Sequence, residues 1–367
     1  MKRVLIICAG LEFGGVERFS ANIIKYAPKN EFAFDYLIFD GMGDAFAPEI
    51  IEKGGRIISI PSPRDGYQAY IKRFGKILDE NHYDVVHSHT QFNTGINLWI
   101  AKKHGVTIRI AHSHTTAHEN PVSRSRAIYE NIMRVAIRRN ATDFCACGMQ
   151  AGEWMFQKHP FTVINNGVDT KSFAFSEENR AKIRSKNGIA ADEFVIGHSG
   201  TLSPLKNQEM LIRILPSVLQ KKPDAKLVLL GTCPGNFKDR LASIAENCGV
   251  SAHVMFAGAV MNVNEYLSAF DVFTFPSLRE GTPIALLEAQ ANGLPCIVSD
   301  SIPKDALITD LCHALPITDE DVWIEALCSA KRESNRTYQE QFDRSGYNAE
   351  LAYMKLYDIY RGQKHEN

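Results

Sequence analysis

DVFTFPSLREGTPIALLEAQANGLPCIVSD, residues 271–300, holds two short apolar runs on either side of a helical pattern. Thr282 reads as the N-cap of that helix and Pro283 as its first residue. Gly293 and Pro295 stop it. Strands that stay apolar on both faces and are joined by a helix belong to a parallel sheet covered on both sides. The alternation recurs along the whole chain. VLIICAG (4–10), FDYLIFD (34–40), DVVHSH (84–89), TIRIAHSH (107–114), DFCACG (143–148) and FTVINN (161–166) form a first set of strands. FVIGHSG (194–200), KLVLLG (226–231), HVMFAG (253–258), DVFTFP and PCIVSD form a second. The expected fold is α/β: two Rossmann-like, doubly wound parallel-sheet domains facing a central cleft, with ligands at the carboxyl ends of the strands.

A length of 367 residues suits two domains of about 180 each. The boundary is expected in the polar stretch 168–193, giving domains 1–172 and 173–345. The segment YNAELAYMKLYDIYRG repeats Leu351, Met354, Leu356, Tyr357 and Tyr360 at helical spacing and predicts one apolar helix face. Lys plus Arg (41) balances Asp plus Glu (42), so no global field points to nucleic acid. The opening MKRVLIICAG is too short for a leader and reads as a buried strand. No stretch approaches the roughly 20 apolar residues of a membrane span, so a cytoplasmic protein, soluble or peripheral on the inner face of the plasma membrane, is expected. The eight cysteines are scattered without a C-x-x-C pair and read as reduced, mostly buried thiols.

Several residue groups can carry chemistry. The amino end of the helix after Thr282, with N–H groups at Ile284 and Ala285, is suited to a diphosphate. Glu280 precedes it, and Glu288 lies one turn beyond Ile284; such carboxylates accept hydrogen bonds from sugar and ribose hydroxyls. Lys206 stands at a loop-to-helix junction where an ammonium can neutralise phosphate oxygens. Gly14 and Gly15 open a helix after the first strand and permit close backbone approach. His89, His112 and His114 close two strands and can bond sugar hydroxyls. A metal cluster is the competing reading of these histidines. Asp319-Glu320-Asp321 has D-x-D spacing but reads as an acidic helix start. Residues 123–140 carry Arg124, Arg126, Arg134, Arg138 and Arg139 beside an apolar stripe of Ile128, Ile132 and Val135. That helix either packs through the stripe or rests on anionic lipid.

Glu280, Gly281, Pro283, Glu288, Ala289, Ala291, Gly293 and Pro295 fill the pattern E-G-x-P-x-x-x-x-E-A-x-A-x-G-x-P without a gap. In this the chain resembles the retaining family-four glycosyltransferases of the GT-B fold, most closely those of bacterial capsule and exopolysaccharide synthesis. The resemblance implies that Glu280 contacts the donor sugar and Glu288 the ribose, with Gly281, Thr282, Pro283 and Ile284 around the phosphates. Lys206 matches the family's pyrophosphate lysine, whereas Thr201 stands where an arginine is common; Arg279 is a candidate substitute. Gly14, Gly15 and Glu17 match its G-G-x-E segment. His114 matches the histidine that contacts the donor sugar, with His112 the alternative; His89, His112 and Glu17 are acceptor-side candidates. VINNGVDTKSF matches the hinge, where Asp169 fixes the linker. Helix 346–367 is expected to pack back on the first domain.

The implied activity moves a sugar from a nucleotide diphosphate, UDP by family habit, to a glycan or lipid-linked acceptor with retention of configuration. The expected catalytic set is Glu280, Lys206 and His114, with no cofactor and no essential metal. Two alternatives share the architecture: an enzyme like UDP-N-acetylglucosamine 2-epimerase, and a non-catalytic nucleotide-sugar-binding protein.

Overall fold

The computed structural model describes residues 1–12, 14–116, 122–333 and 337–363. The chain divides into two units, one of residues 1–166 with 350–367 and one of residues 167–349. The first unit holds seven parallel strands: β1 (Lys2–Ile7), β2 (Phe32–Phe39), β3 (Arg56–Ile60), β4 (Val85–Ser88), β5 (Ile108–Ser113), β6 (Asp143–Ala146) and β7 (Thr162–Val163). Their order is β3-β2-β1-β4-β5-β6-β7. The second unit has β8 (Val195–Ser199), β9 (Lys226–Leu230), β10 (Val254–Gly258), β11 (Val272–Phe275), β12 (Cys296–Ser299) and β13 (Cys312–Leu315). Its order, β10-β9-β8-β11-β12-β13, is again all parallel. In both sheets the winding reverses beside the first strand of the unit, between β1 and β4 and between β8 and β11. A crevice opens there at the strand ends.

The central strands are apolar because both faces are covered: Val4 to Ile7 and Val195 are wholly buried. The sequence pattern missed β3 and β13, and the reason is the same for both. Each is an edge strand with half-exposed residues, so neither carries an unbroken apolar run.

Among the helices, α1 (Gly15–Lys25) and α2 (Arg124–Asn140) belong to the first unit, while α3 (Gln208–Lys221) and α4 (Ile284–Ala291) belong to the second. The last, α5 (Ala349–Arg361), returns the chain to the first unit. Residues 364–367 of the expected returning stretch lie outside the described residues. The buried face of α5 differs from the one expected. Leu356, Tyr357 and Tyr360 are buried as expected, but Leu351 and Met354 are exposed and Ala352 and Tyr353 are buried in their place. Tyrosine wins these positions because each hydroxyl finds a partner. Tyr353 donates to the Phe19 carbonyl at 2.9 Å and Tyr357 to that of Ile23 at 2.6 Å. At about 150–250 Å² of ring and stem each, these side chains form a large share of the contact with α1.

The break between units falls at Asn166/Gly167 rather than after residue 172. Val168 bridges Asn348 in parallel, its N–H bonding the Tyr347 carbonyl at 2.8 Å, so 167–172 belongs with the second unit. Gly167 is required here, since a Cβ would lie 2.5 Å from the Ala349 Cα. Asp169 accepts from the Ser172 N–H (3.0 Å) and hydroxyl (2.6 Å), holding this segment as the sequence suggested.

Candidate active site

In the second unit, β8 and β11 pair side by side and each delivers a loop at its carboxyl end. The loop after β8 turns at Gly200, runs through a short 3-10 turn at Pro204–Lys206, and enters α3 from Asn207 in the left-handed conformation (φ 55°). Gly231 lets it pass: φ is 137°, and a Cβ would stand 2.0 Å from the Gly200 carbonyl oxygen. The loop after β11 carries Glu280. The Leu278 N–H donates to the Leu205 carbonyl at 2.9 Å and ties the two loops together. Lys206 Nζ then lies 2.5 Å from Glu280 Oε1, above the Phe275 ring. The lysine side chain is 21% exposed and the glutamate 9%.

A buried histidine that the sequence reading passed over supports this arrangement. The Nδ1–H of His198 donates to the Thr274 carbonyl at 2.9 Å, so its Nε2 accepts from the Gln208 amide at 3.1 Å. The same amide donates to the Thr201 carbonyl, and Gln208 Oε1 accepts from the Ser203 N–H. The lysine loop is thereby pinned through His198 to β11. Burial pushes His198 down to about 4 against the opposing pull of the Thr274 bond, so the ring is neutral. His198 and Gln208 fall at the strand end and the helix start, and nothing in their spacing shows that the two side chains meet.

The helix start needs a correction. α4 begins at Ile284 with Pro283, not Thr282, at the cap position. Pro283 has ψ 82°, outside the helical range, so the helix cannot include it. The Ile284 N–H turns back to the Thr282 carbonyl at 3.0 Å. Of the two N–H groups expected to face an anion, only that of Ala285 lacks a backbone acceptor among the described residues. Glu288 lies on α4, partly exposed, while Gly281, Thr201 and Arg279 are exposed. The D-x-D stretch is a helix start, as read: Asp319 caps Glu320–Ser329, accepting from the Val322 N–H at 3.3 Å.

In the first unit, α1 starts at Gly15 with Gly14 extended before it. Glu17 folds so closely over Gly14 that a Cβ there would come within 2.2 Å of its carboxylate. Burial raises the Glu17 carboxyl above its ordinary value, with the charge of Glu12 adding to the effect and a backbone hydrogen bond opposing it. A cavity of about 690 Å³ lies beside it, lined by Glu17, Arg64, His89, His114, Arg126 and Tyr129 among others. His112 does not reach this cavity; its ring is wholly buried beneath Phe19, because it points inward from β5. His87, not singled out from the sequence, lies buried against it.

Residues 13–172 match the sequence profile described as Glycosyltransferase Family 4, and residues 179–322 that described as Glycosyl transferases group 1. EpsF of Bacillus subtilis (strain 168) is 32% identical over 98% of this chain and 96% of its own. The chain is a family-four glycosyltransferase. The UDP-Gal:alpha-D-GlcNAc-diphosphoundecaprenol alpha-1,3-galactosyltransferase of Escherichia coli is 27% identical to this glycosyltransferase, over 69% of this chain and 67% of its own. Anabaena Alr3699/HepE, solved in complex with UDP-glucose, superposes with a TM-score of 0.74 at 18% identity, covering 99% of this chain and 100% of that one. The glycosyltransferase therefore has the GT-B fold, with two Rossmann-like parallel-sheet domains.

On the surface of the first unit, α2 departs from the packed-helix expectation. Ile128, Ile132 and Val135 are 62%, 57% and 38% exposed, and its buried contacts run through Glu130, Ile137 and Asn140. The one acid, Glu130, is buried and paired with Arg126 at 2.6 Å. The exposed face is therefore apolar and basic. No helix among the described residues is long and apolar enough to cross a membrane.

Proposed function

We propose that this glycosyltransferase takes a hexose from a UDP-sugar, with retention at the anomeric carbon, and adds it to a lipid-linked glycan in surface polysaccharide synthesis. The observation that carries the reading is the Lys206–Glu280 pair at the β8/β11 crevice. A diphosphate entering there competes with Glu280 for the ammonium and frees the carboxylate to accept from sugar hydroxyls. Lys206 and the Ala285 N–H then stabilise charge that develops on the leaving diphosphate. Its oxygen takes the acceptor proton on the face it is leaving, which gives retention. Glu288 holds the ribose hydroxyls. Arg279 supplies the second cation that Thr201 lacks.

The cavity of the first unit is walled by Glu17 and His89, assigned to the acceptor side, and by His114, assigned to the transferred sugar. A UDP donor and a lipid-linked acceptor are what the Escherichia coli relative is named for, and the α2 surface suits such an acceptor. Its three exposed apolar side chains and its arginines fit an anionic leaflet, so peripheral attachment at the cytoplasmic face follows. No step requires a metal.

The test is a panel of nucleotide sugars with a polyprenyl-diphosphate-linked sugar as acceptor, followed by anomeric analysis of the product. Glu288→Ala should weaken UDP binding and slow transfer. Normal UDP affinity and normal transfer in that variant would overturn the assignment. Binding without turnover on any donor would favour the non-catalytic reading.

A further inference from the structure

His87 and His89 alternate along β4 and past its end, and His112 and His114 do the same along β5, its parallel neighbour. A period of two sends all four imidazoles to one face of the sheet. There they lie under Phe19 of α1, whose ring centroid is 4.9 Å from His112, 5.2 Å from His114 and 5.9 Å from His89. Tyr360 of α5 closes the other end, its Oη 2.7 Å from His87 Nδ1.

The hydrogen bonds inside the cluster do not balance. His87 Nε2 lies 3.0 Å from His112 Nδ1, and His89 Nδ1 lies 2.8 Å from His114 Nε2. A neutral imidazole carries one N–H and one lone pair. Whichever ring of the His89–His114 pair donates, the two outward nitrogens are left as one N–H and one lone pair. The outward Nε2 of His112 is likewise left over. These three nitrogens, His89 Nε2, His112 Nε2 and His114 Nδ1, are buried and have no hydrogen-bond partner among the described residues. Native interiors rarely leave so many polar atoms unanswered in one place unless a guest answers them.

The chemistry of the donor set names the guest. One nitrogen from each of His87, His89 and His112 lies within 4.8 Å of the others. Three neutral imidazoles suit a borderline divalent transition metal and not a hard cation, which prefers oxygen. Tyr360 supplies the outer contact such sites use: in the tautomer where its oxygen accepts the His87 Nδ1–H, the Nε2 lone pair faces His112 Nδ1 at 3.0 Å, and an ion would take that lone pair in place of the hydrogen bond. The cavity of the first unit reaches His89 and His114 and gives an ion its way in.

We propose that His87, His89 and His112 form a binding site for a borderline divalent transition-metal ion such as zinc, with the fourth position open to His114 or water. The site uses none of the second-unit residues assigned to the donor, but His89 and His114 also line the cavity of the first unit, so the ion would sit beside the groups expected to meet the sugars.

The test uses the full chain, stripped with chelator and titrated with cobalt(II). Uptake of one equivalent should produce the visible bands of a nitrogen-ligated tetrahedral ion, without a thiolate charge-transfer band in the near ultraviolet. Zinc should then displace the cobalt. Tyr360→Phe keeps the ring packing but loses the outer contact, and should weaken cobalt binding by about 10–100-fold. His87→Gln should abolish it, and if that variant does not fold, Tyr360→Phe decides. No saturable uptake, a thiolate band, or wild-type affinity in Tyr360→Phe would overturn the proposal, leaving buried water as the guest.

Discussion

Lys206→Met removes the ammonium from a pair whose nitrogen and oxygen are 2.5 Å apart and whose glutamate is 9% exposed. Two losses follow for a bound diphosphate. The charge-assisted contact itself accounts for about 1.5–3 kcal/mol. Glu280 is also left uncompensated beside the phosphates. At a separation of about 6 Å and an effective dielectric near 20, that repulsion is about 3 kcal/mol per pair of charges, which salt reduces to about 1–2. UDP affinity should therefore fall by roughly 10²–10³-fold. Calorimetric titration with UDP at physiological ionic strength reads the loss directly. The double variant Lys206→Met/Glu280→Gln removes the repulsion but not the lost contact, and should recover about tenfold in UDP affinity while transfer stays low. A single variant within threefold of wild type would refute the reasoning. So would a double variant that binds UDP no better than the single.

Acid should cost the second unit stability through His198. Its folded value is depressed from 6.5 to about 4, so the unfolded chain takes up a proton first as pH falls. Full stability holds above pH 6.5 and drains between 6.5 and 4 at about 1.4 kcal/mol per pH unit, some 3 kcal/mol in all. In unfolding titrations at successive pH values, His198→Gln should be less stable at pH 7 yet show a slope shallower by one proton; an unchanged slope would sink the argument. Gly167→Ala drives a Cβ to 2.5 Å from the Ala349 Cα, a clash with backbone that cannot rotate away. It should lower unfolding free energy by about 2–4 kcal/mol in denaturant titration. Ile128→Ser with Ile132→Ser alters exposed side chains, so thermal stability should hold to within about 0.5 kcal/mol per site while sedimentation with anionic vesicles drops severalfold. Unchanged sedimentation would remove α2 from the membrane reading.

The repeated α/β architecture was legible because buried parallel strands cannot hide their apolar runs, as VLII and VFTF show. The edge strands at 56–60 and 312–315 were not, since one open edge dilutes the pattern. Glu280 and Lys206 could be named from motif and loop position alone. That they touch could not, because the contact depends on a backbone bond between Leu278 and Leu205 that no side-chain identity encodes. The start of α4 was misplaced by one residue because threonine followed by proline fits a cap and first turn in general, while this proline, at ψ 82°, lies outside the helical range. For α5 the apolar letters were read without weighing tyrosine hydroxyls, and so Leu351 and Met354 were put inside where Ala352 and Tyr353 belong. His87 escaped notice because a buried histidine in mid-strand looks like any core residue until its neighbours are placed.

The first unit is interrupted: its sheet is complete by Val163, but its covering tyrosines arrive only at 353–360, after the whole second unit has been made. During synthesis the early strands must wait with the surface that α5 will occupy still wet. The later-encoded unit, being continuous from 167 to 349, can close ahead of the one that precedes it. The order in which the two units begin and the order in which their residues are complete thus run in opposite directions along this chain, and a ribosome stalled before Tyr353 would carry all of one unit and only part of the other.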